Sequence, residues 1–144
     1  MRVIEFATVP ETKVTREDII GHQLNRALVS RDATGTERLV ADVVRFPPGF
    51  NHQLHRHPDG DQVVVVLDGE IIAYDRNDER VVPAGSAVLL CAGDWHGVRV
   101  EGAEALILNL FPGVGSVPEA GYQASDPPFP GPTRRVTAAR QGGE

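Results

Sequence analysis

Four side chains in this sequence have the types and the spacing to gather around one cation. His55 and His57 are two residues apart, and on a strand such positions point to the same face, so both imidazoles converge on one volume. Gln62 opens the next apolar run after the turn residues Pro58, Asp59 and Gly60. A hairpin there returns its side-chain oxygen beside the pair. His96 begins a further strand after the turn residues Gly93 and Asp94 and is the fourth candidate. Histidines gathered on an inward face with no partner in view are expensive to bury, because a polar group removed from water needs a compensating contact. Coordination of one divalent metal ion supplies that contact, and imidazole donors are compatible with Zn, Ni, Fe, Mn or Cu. Gln62 offers a neutral amide oxygen and is read as a ligand beside the three histidines.

Other polar residues near this set have plainer readings. Asp61 alternates to the outside of a regular strand and is a solvated turn residue. Asp94 forms a turn through its own side chain. His52 has the parity opposite to His55, and His22 precedes the strands that carry the set, so neither is included. Cys91, the single cysteine, reads as a small buried hydrophobe. In the last apolar run Ile107, Asn109 and Phe111 share one face and Leu106, Leu108 and Leu110 the other, which makes Asn109 and Phe111 candidate pocket residues. Asp42 and Arg45 have opposite parity, so one of them faces inward.

The elements that must position these groups are strands. Short runs rich in Val, Ile and Leu alternate with Gly, Pro, Asp and Asn, the pattern of an all-β sandwich or barrel. Strands are expected at 26–30, 39–46, 52–57, 62–67, 70–75, 80–82, 87–90, 97–100 and 105–111, with turns at 32–35, 46–49, 68–69, 75–78 and 83–85. Thr15 followed by Asp18 could open one or two turns of helix, and 2–9 is a candidate strand for exchange between copies. Beyond Phe111 the chain is rich in Pro and Gly, which form neither helix nor central strand. That tail either wraps the barrel in extended form or is partly disordered. The organisation expected is an N-terminal arm with the first strands over 1–37, a barrel over 38–112 and the tail over 113–144, one structural domain in all.

Composition limits the function. A chain of 144 residues suits a single core, so any activity shares its one cavity. The formal charge of -6 and the lack of a dense Lys/Arg run exclude nucleic acid as the expected partner. No segment is apolar for long enough to span a bilayer, the N-terminus lacks the apolar core of a signal peptide, and a lone cysteine gives no intrachain disulfide. A soluble cytoplasmic protein with no membrane partner is the expectation.

The spacing of Gly49, His55, His57, Gln62 and Gly69, followed by Gly85, Gly93 and His96, resembles the two signatures of the cupin superfamily. Gln62 stands at the usual glutamate, Cys91 at the usual proline and Val100 at the usual asparagine. The resemblance spans roughly 39–111 and implies a double-stranded β-helix, or jelly roll, that holds one divalent ion through His55, His57, Gln62 and His96. Cupins commonly pair through sheet edges, which implies a homodimer. Three histidines with one glutamine are similar to the shells of cupins that tautomerise unsaturated uronates and of small cupin cyclases of aromatic polyketide pathways. Asn109 and Phe111 match two positions of the uronate group's last strand, but Pro112 to Ser116 supplies no counterpart of its substrate-binding arginine. An apolar lining of Val, Leu, Ile and Phe suits a more apolar small molecule. The leading expectation is a Lewis-acid isomerase, cyclase or lyase. A dioxygenase using Fe, Ni or Mn, and a non-catalytic metal- or ligand-binding cupin, are the alternatives.

Overall fold

The computed structural model describes residues 1–132, and the end of the expected tail, 133–144, lies outside the described residues. The chain forms β1 (Thr12–Val14), β2 (Ile19–Ile20), β3 (Gln23–Val29), one helical turn α1 (Arg31–Thr34), β4 (Leu39–Phe46), β5 (Asn51–Arg56), β6 (Gln62–Asp68), β7 (Glu70–Tyr74), β8 (Glu79–Pro83), β9 (Ala87–Leu90), β10 (His96–Arg99), β11 (Ala105–Pro112) and β12 (Gln123–Ala124). They make two antiparallel sheets, in the orders β1-β3-β4-β11-β6-β9 and β12-β5-β10-β7-β8, with β2 paired to β5. This is the all-β jelly roll expected. Among the described residues no helix is long and apolar enough to cross a membrane.

Alternation sets which side chains meet between the sheets. In β6, Gln62, Val64 and Val66 are buried while Leu67 and Asp68 are exposed, so the amide of Gln62 rides on the face that carries the core valines. In β11, Ala105, Ile107 and Phe111 are buried, and Asn109 shares their parity. The main core packs Val44, Phe46, Phe50, Val64, Val66 and Ile71 with neighbours from both sheets. Each such side chain contributes roughly 1.5–3 kcal/mol when removed from water. A smaller cluster of Val40, Phe111 and Ala120 ties the tail to β4 and β11.

Two glycines permit close approaches that a side chain would block. Gly69, in the β6–β7 turn, has φ +74°, and a Cβ there would stand 2.7 Å from the Glu104 carbonyl oxygen. Gly97, in β10, lies under the Tyr74 ring, where a Cβ would stand 2.2 Å from Cζ.

Several expectations are corrected. Residues 15–18 form no helix: Ile19 closes a turn onto the Arg16 carbonyl and is buried in the core, so strand pairing with β5 outweighs a local capping box. The candidate strand at 2–9 contains a single 3-10 turn, Phe6–Thr8, and Arg2 instead donates to the Thr34 carbonyl. The turn expected at 32–35 is one turn of helix, because Ser30 Oγ accepts from Ala33 N at 3.0 Å and Gly35 closes it in the left-handed region. Cys91 is exposed, since the turn that Asp94 Oδ2 closes onto its backbone N–H lifts it from the core. The described tail wraps the sheets, but not wholly in extended form: a 3-10 turn at Val117–Ala120, with Pro118 at its start, precedes β12, which pairs with β5, and Leu54 donates to the Phe129 carbonyl at 3.0 Å.

Candidate metal centre

His55 and His96 are direct cross-strand partners on β5 and β10, and His57 follows β5 by one residue. His55 and His96 belong to one sheet, His57 lies just past the end of β5, and Gln62 opens β6 in the other sheet. The four are buried, with 3% of His55, 6% of His57, 8% of Gln62 and 5% of His96 exposed. One ring nitrogen from each histidine falls within 4.8 Å of the others.

Each imidazole is fixed in one tautomer by a backbone carbonyl. His55 Nδ1 donates to the Gln53 carbonyl at 2.7 Å, His57 Nδ1 to the Gly121 carbonyl at 2.8 Å and His96 Nδ1 to the Asp94 carbonyl at 2.9 Å. A carbonyl oxygen only accepts, so the proton resides on Nδ1 and the Nε2 lone pair is left free. Gln62 is oriented in the same way: its Nε2 donates to Asn109 Oδ1 at 2.7 Å, which turns Oε1 away from β11.

Among the described residues two buried side-chain atoms lack any hydrogen-bond partner, Gln62 Oε1 and His96 Nε2. Both are lone-pair donors, and leaving such an atom unpaired costs about 1–3 kcal/mol. Burial pushes the His55 imidazole well below its ordinary range, lowers that of His57 and takes that of His96 down to about 4. The rings are therefore neutral, the form that coordinates a cation. Three Nε2 atoms and one amide oxygen fit a divalent metal, and backbone carbonyls and Asn109 supply the outer contacts that hold such ligands in place. His55, His57, Gln62 and His96 are thus brought together by the fold.

These groups end a cavity of ≈ 140 Å³. Val64, Ile107 and Phe111 wall it, and Asn109 lines it beside Gln62. The Phe111 ring meets that of His57 edge-on at 5.0 Å. Asp42, the inward member of the Asp42/Arg45 pair, is 8% exposed and lies opposite Asn109 in the ladder. It is not among the cavity's lining residues. Arg45 points outward to Glu11 and Glu104.

The mouth contains residues that parity and pattern do not reveal. His52 lines the cavity and stacks on His55 with ring centroids 3.8 Å apart. The reason is a bulge: from the His96–His55 pair to the Val98–His52 pair the ladder takes two steps along β10 and three along β5. The extra residue reverses the alternation. Tyr122, from the tail, donates to Asp18 Oδ2 and bonds His52 Nε2 at 2.8 Å. With its own hydrogen on Asp18, the tyrosine oxygen accepts from His52 Nε2–H. Burial acts to raise the Asp18 carboxyl, but the hydrogen bond and charge of His52 and the cation of Arg16 hold it below the usual range. Asp18, His52 and His55 also lie within ligating distance of one another, yet His52 and Asp18 are already engaged with Tyr122. Asp61 is exposed and its Oδ1 accepts from Ala92 N at 2.8 Å, while His22 lies outside the cavity.

The family model described as a cupin domain matches residues 42–111. No curated protein matches the chain in sequence. Among solved structures, a predicted oxalate decarboxylase of Thermotoga maritima is 18% identical with a TM-score of 0.70, covering 78% of this chain and 100% of that one. The polyketide cyclase RemF of Streptomyces resistomycificus is 21% identical with a TM-score of 0.70, covering 78% of this chain and 79% of that one. A sugar phosphate isomerase of Silicibacter pomeroyi is 19% identical with a TM-score of 0.65, covering 77% and 75%. At these identities the likeness is one of fold.

Proposed function

A cupin domain occupies residues 42–111 of this chain, and from that premise we propose that the protein is a metal-dependent enzyme that isomerises, cyclises or cleaves a small oxygenated molecule by Lewis-acid chemistry. The observation that carries this reading is the neutrality of the donor set, three imidazoles held as Nδ1–H tautomers and the free Oε1 of Gln62. A divalent ion held by these atoms keeps its full double charge toward a carbonyl or hydroxyl oxygen, the polarising chemistry it supplies when bound.

The chain's own residues do the rest. Asn109 engages the Gln62 Nε2 and leaves its Oε1 unpaired for an ion. Val64, Ile107 and Phe111 keep water from the inner end of the cavity and so strengthen every polar contact made there. Tyr122 Oη, between Asp18 Oδ2 and His52 Nε2, is placed to give or take a proton at the mouth. Structures of this fold include a predicted decarboxylase, a cyclase and an isomerase beside an oxalate oxidase, and it is the neutral donor set that favours the non-redox reading. We also place the protein in a homodimer joined by sheet edges, of which β9 and β8 each end a sheet; a monomer mass on gel filtration contradicts that part.

The test is turnover of a panel of small hydroxy and oxo compounds, followed by proton NMR with and without air. Product formed equally in both conditions, and slowed roughly 10²-fold or more in Tyr122→Phe at unchanged metal content, is expected. Turnover that consumes dioxygen in step with product contradicts the reading in favour of an oxygenase. Tight ligand binding with no product marks a binding protein instead.

A further inference from the structure

Among the described residues Arg16 is the sole Lys or Arg side chain on the lining of the cavity, and it comes from the segment between β1 and β2. It also lines the surface groove that runs past Tyr122 to Ser125, so it stands at the doorway between cavity and solvent. Two contacts hold it there. The guanidinium carbon lies 3.9 Å from the centroid of the Tyr122 ring, and Nε lies 3.3 Å from Asp18 Oδ1. No described residue engages its two terminal nitrogens.

The carboxylate beside it does not use up this cation. Asp18 Oδ2 is taken by Tyr122 and His52, and Oδ1 meets only Nε, so the fork of terminal N–H groups is left to solvent or a ligand. Arg16 and Asp18 balance in charge, and the inner donor set is neutral. Once a divalent ion is held, the cavity as a whole is positive and favours an anion. A planar guanidinium held by stacking and by one fixed bond loses little freedom on accepting a carboxylate in two-pronged fashion.

We propose that Arg16 is the anion-binding residue of this cavity and that the substrate is a small organic acid, with a carboxylate at Arg16 and a carbonyl or hydroxyl oxygen at the imidazoles. The inference rests on the metal-site reading for the second half of that statement and on Arg16 alone for the first. The distance suits such a molecule: Tyr122 lies 5.3 Å from the His55 ring and 3.9 Å from the guanidinium, so Arg16 is no farther from His55 than the sum of the two. A carboxylate a few bonds from the reacting oxygen spans that gap. The expected apolar compound is therefore revised to an amphiphilic one, apolar where Val64 and Phe111 touch it and charged at the mouth.

The experiment measures binding of 4-oxopentanoate and of its neutral amide, 4-oxopentanamide, by calorimetry, using protein loaded with Co²⁺ and the metal-free protein. The Co²⁺ absorption spectrum reports the inner site independently. Wild type is expected to prefer the acid over the amide by about tenfold or more in both forms, with the preference falling as salt rises. Arg16→Gln is expected to erase the preference in the metal-free protein and to reduce it in the Co²⁺ form, where the ion's own charge remains, while leaving amide binding and the Co²⁺ spectrum unchanged. Arg16→Lys, which keeps the charge and loses the fork, is expected to retain part of it. An acid preference undiminished in Arg16→Gln and Arg16→Lys overturns the proposal, as does wild type showing none. Failure of Co²⁺ to bind overturns the metal-site reading, and the metal-free arm then still decides the role of Arg16.

Discussion

Asn109 Oδ1 receives the Gln62 amide N–H at 2.7 Å across the β6–β11 ladder, and that one bond decides which end of the amide faces the histidines. Without it the side chain is free to present its NH₂ group, which repels a cation. Asn109→Leu is therefore expected to weaken metal affinity by about 10–100-fold with the fold intact. Competition against a chromogenic chelator measures it, and unchanged affinity would show that Gln62 does not depend on Asn109.

Asp42 gives a pH dependence of stability with a definite sign. Burial pushes its carboxyl from 3.8 up to about 6, so between those values the folded chain holds a proton that the unfolded chain has released. Stability from this group is full below the lower value, falls as pH rises toward the upper one, and is level beyond it. The loss is at most about 3 kcal/mol. Asp42→Asn is expected to gain on wild type in urea unfolding between roughly pH 4 and pH 7. A difference that stays flat over that range removes Asp42 as the cause.

Gly97 ties the metal site to the neighbouring strand. A Cβ there meets the Tyr74 ring at 2.2 Å, and Tyr74 is held by its hydroxyl, which donates to Asn51 Oδ1 at 2.6 Å. Gly97→Ala is expected to destabilise the protein by about 1–3 kcal/mol, and a second change, Tyr74→Leu, to recover part of that loss through coupling. Thermal unfolding of the single and double variants tests it, and strictly additive effects would deny the contact.

Much of this arrangement is legible in the sequence because its cause is local. His55, His57 and Gln62 are close in sequence around the turn at Pro58 to Gly60, and the alternation of Val64 and Val66 states which way Gln62 points; the hairpin expected there is instead a crossing between sheets, since β5 and β6 belong to different ones. What escapes is set by contacts between distant segments. Parity alone points His52 outward, and a bulge that depends on pairing with β10 reverses it. Tyr122 lies in a Pro/Gly-rich tail without periodicity and Arg16 in a turn before the barrel, yet the two stack at the mouth. The exposure of Cys91 follows from an Asp94 turn whose direction no pattern in the chain states. The helix expected at 15–18 fails because a two-residue strand gains a buried Ile19, a tertiary gain that overrides a capping signal.

The central claim is that the Nε2 atoms of His55, His57 and His96, with Gln62 Oε1, bind one divalent ion. Elemental analysis of purified protein, with Co²⁺ reconstitution of wild type, His57→Ala, His96→Ala and the control His22→Ala, tests it most directly. The account predicts close to one ion per chain in wild type and in His22→Ala, and its loss in the other two with their circular dichroism unchanged. Metal at background level in folded wild type, or full retention in both His57→Ala and His96→Ala, would contradict it.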